Sequence, residues 1–232
     1  MRLKNALAGL FLGLVMAAGN VYASIIFITP AGSTAGGQPV NAMATFTFGT
    51  DTLEIVLQNL QGNPISVIQA LSDLEFTLGT TAGSFSLTGS SGLERTIAGD
   101  GTFTDGSVVS TGWDFSGDGT NFKLDVLGSL IGPAHLLIGP PGGGGYTNAN
   151  GSIAGNGPHN PFLAESATFD LSLEGVTANT TITSVTFSFG TTEGEATVPG
   201  TPIPENVPEP GSLALLGLAG LLLALGLRRR ML

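Results

Sequence analysis

The sequence predicts an all-β domain, an antiparallel β-sandwich of jelly-roll-like type, and three observations carry that prediction. Short runs alternate apolar and polar residues with a period of two and are rich in Thr, Val, Ile and Phe. Gly-Thr, Gly-Asn-Pro, Asp-Gly and Gly-Asp-Gly clusters punctuate them as turns. Nothing long in the middle of the chain carries a helical period.

Along the chain, the first runs are Ala44-Thr45-Phe46-Thr47-Phe48, Thr52 to Leu60, Leu74 to Leu78 and Ser84 to Leu87. Phe122 to Leu127, Ala167 to Leu173 and Thr181 to Phe189 follow. The last is the cleanest, with Ile182, Val185, Phe187 and Phe189 mostly on one face. Strands at this spacing, joined by turns, are the pattern of a sandwich. One segment breaks the rhythm. Gly139 to Pro161 is rich in Gly, Pro and Asn and offers little to bury, so it reads as a surface loop or a ligand-contacting loop.

Charge excludes several functions. The chain of 232 residues carries a net charge of −10, but five of its seven basic residues lie near the two ends. All 17 acidic residues fall between Asp51 and Glu209, where Arg95 and Lys123 are the only cations, leaving the centre at −15. Such a domain repels phosphate backbones, so no nucleic acid is expected as a partner. The absence of cysteine removes thiolate chemistry and Cys-based metal sites.

The two ends read as membrane-related. Arg2 and Lys4 precede an uncharged run of 13 residues from Ala6 to Ala18, too short to span a bilayer. Val21-Tyr22-Ala23 then offers small residues for signal peptidase, with Ser24 as the new N-terminus. Residues 1–23 are therefore expected to be a signal peptide used by the general secretion machinery. At the other end, Leu213 to Leu227 are 15 consecutive Leu, Ala and Gly residues, about 22 Å as a helix. With Gly211 and Ser212 this gives an expected transmembrane helix over 211–227. Arg228, Arg229 and Arg230 follow as a stop that stays cytoplasmic, placing everything before the helix outside. The domain is placed at 24–199, with a Pro-rich linker over 200–206.

Val207-Pro208-Glu209-Pro210, the Leu-rich segment with Gly217, Gly220 and Gly226, and the arginine cluster together resemble the PEP-CTERM sorting signal, here over residues 207–232. GPPGGGGYTNANGSIAGNGPHNPFL also resembles a block of other members. The resemblance implies recognition and processing by an exosortase, a multi-spanning membrane protease or transpeptidase. It further implies export in a Gram-negative bacterium that makes exopolysaccharide or biofilm. The two prolines hold Glu209 in an extended chain that a membrane protease can grasp.

Catalytic candidates are few. Asp100-Gly-Thr-Phe-Thr-Asp105 and Asp114-Phe-Ser-Gly-Asp118 could offer oxygens to calcium, but they lack the twelve-residue calcium loop and read better as turns. His135, His159 and Glu165 could form a two-His-one-carboxylate set, though two unrelated histidines is the plainer expectation. No Gly-x-Ser-x-Gly elbow and no phosphate-binding loop is present. The expectation is an exported structural or interaction protein without catalytic residues, metal or cofactor, with exopolysaccharide as a partner. The alternative is a carbohydrate- or ligand-binding module of the cell surface.

Overall fold

The computed structural model describes residues 24–128, 135–194 and 196–204. These residues are nearly all β, with one 3-10 turn at Val67–Gln69. The first strands are β1 (Ser24–Ile28), β2 (Thr34–Ala35), β3 (Gln38–Pro39), β4 (Ala42–Phe48) and β5 (Thr52–Asn59). Then come β6 (Leu71–Leu78), β7 (Phe85–Ile97), β8 (Phe103–Val109), β9 (Asp114–Gly117) and β10 (Asn121–Asp125). The last five are β11 (Leu137–Ile138), β12 (Phe162–Leu173), β13 (Ile182–Phe189), β14 (Ala196–Pro199) and β15 (Thr201–Ile203).

Alternation in the sequence becomes alternation in burial. In β4, Ala42, Ala44, Phe46 and Phe48 are buried while Met43, Thr45 and Thr47 lie between them and face outward. In β5 the buried set is Leu53, Ile55, Leu57 and Asn59. A register of Phe46 against Ile55 and Phe48 against Leu53 stacks the two apolar rows on one face.

Thirteen strands form one branched sheet, and β2 and β3 make a separate small ribbon. One run of neighbours is β15-β1-β4-β5-β12-β7-β8, and the other is β14-β13-β6-β10-β9. The joint between them is the two-residue β11, parallel to β12 and antiparallel to β6. The sheet is therefore mixed, and its hydrogen bonds are continuous through that joint. This corrects the expectation of purely antiparallel pairing. The reason is local: Asn59, buried at the end of β5, donates through Nδ2 to the carbonyls of Gln69 and Leu137. It thereby holds β11 beside β12 where β5 has ended.

The two runs of strands meet through aromatic rings. Phe27 of β1 lies edge-on to Phe46 of β4 at 6.1 Å, and Phe46 lies edge-on to Phe76 of β6 at 5.4 Å. Phe76 stacks on Phe122 of β10 at 5.4 Å, and Phe122 meets Phe85 of β7 at 5.2 Å. The row thus crosses from the first run to the second and back. Trp113 is buried against Phe169 and donates its Nε1–H to the His135 carbonyl at 2.8 Å, satisfying its polar end.

The expected signal segment, residues 1–23, and the expected helix over 211–227 lie outside the described residues. Among the described residues no helix is long and apolar enough to cross a membrane.

Phe46→Ala removes the ring that touches both runs. It is expected to cost about 3–5 kcal/mol in denaturant unfolding of the domain, whereas Thr45→Ala on the opposite face should cost about 1 kcal/mol or less. Equal losses at the two positions would contradict this assignment of faces.

Candidate functional site

The last strand corrects the expected linker over 200–206. Thr201–Ile203 are not a free spacer but β15, antiparallel to β1 with Ile203 opposite Ile26, Pro202 opposite Phe27 and Thr201 opposite Ile28. Proline is tolerated there because an edge strand needs to bond on one side only. Gly200 makes the corner from β14 into β15. Its N–H donates to the Val185 carbonyl at 2.8 Å, and a Cβ there would lie 3.0 Å from the Phe187 ring.

Ser24, expected just after the signal peptidase cut, is the first residue of β1. It pairs with Thr47, hydroxyl to hydroxyl at 3.1 Å. Because β1 and β15 are antiparallel, the Ser24 end of one and the Ile203 end of the other leave the sheet at the same place. Ala23, Val207, Pro208, Glu209, Pro210, Arg228, Arg229 and Arg230 lie outside the described residues.

The Gly139–Pro161 segment is packed, not free. Tyr146 and Ile153 are buried in it. The Tyr146 hydroxyl donates to the Gly139 carbonyl and accepts from Arg95 Nη1 at 3.2 Å. Asn160 exchanges two hydrogen bonds with the backbone of Ile97, and Gly155 N–H donates to the same carbonyl. The segment closes one side of the core.

Arg95 organises this region. It is buried, and its guanidinium pairs with Asp105 of β8 at 2.6 Å and Glu165 of β12 at 2.9 Å, and lies 4.3 Å over the Phe103 ring. Hydrogen bonding to Asp105 offsets burial and holds the guanidinium charged, above its already high ordinary pKa. The same contact keeps the Asp105 carboxyl below the usual carboxylate range. Glu165 reaches it from a left-handed backbone, φ +64°, within the register shift of β12 between Leu163 and Ala167.

The other residues singled out in the sequence serve structure. Asp100 accepts from the N–H and hydroxyl of Thr102, which lowers its pKa. Asp118 accepts from the side chain and N–H of Asn121 and from Thr120 N–H, which holds its pKa down to about 2. Asp114 accepts from Phe115 N–H. The two acidic clusters are thus turn residues and an Arg95 partner. His135 is buried, with Nδ1 2.7 Å from the Pro161 carbonyl and Nε2 3.6 Å from Glu94. His159 is half-buried on the loop, and Glu165 belongs to Arg95. No group of three metal-ligating side chains occurs among the described residues.

An open cleft of about 440 Å³ lies along the ends of β4, β5 and β12, lined by Thr47, Thr50, Thr52, Glu54, Thr88 and Asp170. Glu54 and Asp170 stand directly opposite each other in the ladder. The sequence reading passed over this row because each residue looks like an ordinary outward position of its strand. It also passed over the pairing of the two central cations. In a domain so acidic and so poor in cations, Arg95 and Lys123 each collect more than one carboxylate.

Lys123 of β10 bonds Asp73 at 3.0 Å, Asp125 at 3.2 Å and Glu193. Burial opposes its charge, but the bonds to Glu193 and Asp73 outweigh that and raise its pKa. Asp73 is 3% exposed, and burial outweighs the ammonium, pushing its pKa up to about 7. A carboxyl raised in the folded state binds more protons than the unfolded chain does between about pH 4 and 7. Stability should therefore fall as pH rises through that window and level off above it. Asp73→Asn should flatten the dependence of the urea midpoint between pH 5 and pH 8. An unchanged slope would contradict the role of Asp73.

The model of the PEP-CTERM protein-sorting motif matches residues 206–230. The match includes Val207 to Pro210 and Arg228 to Arg230, and begins three residues after the end of β15. No curated protein matches the chain, and no solved structure matches it. The motif implies processing by an exosortase and an exported, membrane-passing precursor that ends at the cell surface. By its C-terminal 206–230 segment, set directly behind a β domain that closes at Ile203, the chain is a PEP-CTERM domain-containing protein.

Proposed function

We propose that this is a non-enzymatic surface or extracellular-matrix protein, made as a precursor with a cleaved signal peptide and trimmed by an exosortase at its C-terminus. The mature part is a jelly-roll-like sandwich with a structural or interaction role in exopolysaccharide or biofilm. The observation that carries the reading is the sorting motif at 206–230, attached through two residues, Pro204 and Glu205, to the folded domain. Its Arg228 to Arg230 cluster supplies the positive charge that stops translocation, and Pro208 and Pro210, which have no backbone N–H to donate, flank Glu209 in the sequence. The absence of catalysis is supported by how the domain uses its polar side chains: Asp100, Asp105, Asp118 and Glu165 each hold a turn or an ion pair.

A second reading is favoured by the Glu54–Asp170 cleft, whose lining sets threonine hydroxyls and two carboxylates beside apolar Phe48, Leu53 and Leu171, a mixture that suits the polar edges and apolar faces of a sugar. In that case the mature domain binds carbohydrate. Saturable binding of the purified domain to host polysaccharide, lost in Glu54→Ala/Asp170→Ala, would favour it over a purely structural role.

For the sorting reading, Glu209→Ala or deletion of Arg228 to Arg230 should leave untrimmed precursor in the inner-membrane fraction, while wild type reaches the surface. Wild-type and variant proteins found in the same fraction at the same size would contradict it.

A further inference from the structure

We infer that the β1–β15 pair is a clasp that must open before the C-terminal sorting motif can be processed. The inference rests on the sorting reading above and adds a positioning element to it.

Four observations carry it. First, β15 is held by one neighbour, β1, through three residues, all exposed, and one of them, Pro202, has no N–H to give. A short edge strand of this kind sits at the low end of local opening free energies. Second, its far end lies only two residues from the matched motif. With β15 docked, Glu209 is six residues from the last anchored position, Ile203, and reaches at most about 20 Å from the sheet. A processing enzyme that takes the motif as an extended strand in a cleft has to fit into that space beside the domain.

Third, release of β15 moves the anchor back to Gly200. That glycine stays fixed by its bond to Val185 and its packing against Phe187 and Phe27. The reach of Glu209 then grows to about 30 Å. Fourth, release costs the core little. Phe27, Val185 and Phe187 remain buried by β4, β6 and β14, and the one large apolar side chain of β15, Ile203, is already 40% exposed. The clasp is thus cheap to open, and opening lengthens the tether where length is needed.

The chain has no cysteine, so the clasp can be locked selectively. Ile26 and Ile203 are direct cross-strand partners, and antiparallel neighbours lie within disulfide range. The full-length chain carrying Ile26→Cys/Ile203→Cys would be expressed in the native host, beside each single variant, Ile203→Gly and Glu209→Ala. Trimming would be followed by pulse-chase. The oxidised double variant should be trimmed at least ten-fold more slowly than either single variant, and a membrane-permeant reductant should restore the rate. Ile203→Gly, which weakens the clasp, should be trimmed as fast as wild type or several-fold faster. Trimming of the cross-linked chain at the wild-type rate, with Glu209→Ala still blocked, would overturn the clasp alone. A wild type that is never trimmed would overturn the sorting reading and the clasp together.

Discussion

Apolar contact between two runs of strands is the constraint on which the rest depends. The domain has no disulfide and, among the described residues, only two cations to bind its carboxylates. Its stability must come from burial. The row Phe27–Phe46–Phe76–Phe122–Phe85 supplies it by passing from β1 and β4 to β6 and β10 and returning at β7. Each ring is on an inward position of a period-two strand, so a slip of one residue in any of these strands would turn its ring outward. The register fixed by those rings also sets which end of β1 meets β15. Through that pairing the core determines where both ends of the exported domain emerge.

Electrostatics follows from the same economy. Arg95 and Lys123 each sit partly or fully out of water and each gathers more than one carboxylate. Asp51, Asp100, Asp114, Asp118 and Glu174 lie at turns and strand ends, where hydrogen bonds from hydroxyls, an amide or backbone N–H groups serve instead.

The sequence made the strongly alternating strands legible. β4, β5, β6, β12 and β13 lie within a few residues of the runs around Phe46, Ile55, Leu74, Phe169 and Phe187. It did not reveal β8 or the full length of β7, because Ser90, Gly92, Asp105 and Gly106 look like turn residues until another strand is beside them. β15 was hidden by Pro202 and Pro204, which argue for a linker unless the position is known to be an edge. The Gly139–Pro161 segment looked empty because its two anchors, Tyr146 and Ile153, are isolated apolar residues with no period. The ion pair of Arg95 with Glu165 spans seventy positions in the chain, a separation that no local pattern encodes. The sorting motif was legible for the opposite reason: its signal is contiguous, with prolines, apolar run and arginines in fixed order.

In the proposed account two covalent cuts, one before Ser24 and one beyond Ile203, flank the folded body, and the antiparallel pairing of β1 with β15 puts those two ends on the same side of the sheet. Intact-mass measurement of the native protein recovered from the cell surface tests that account most directly. The account predicts a species that begins at Ser24 and has lost the residues beyond the proline motif. Recovery of a single species of 23.4 kDa, with Met1 and the arginine tail both present, would contradict it.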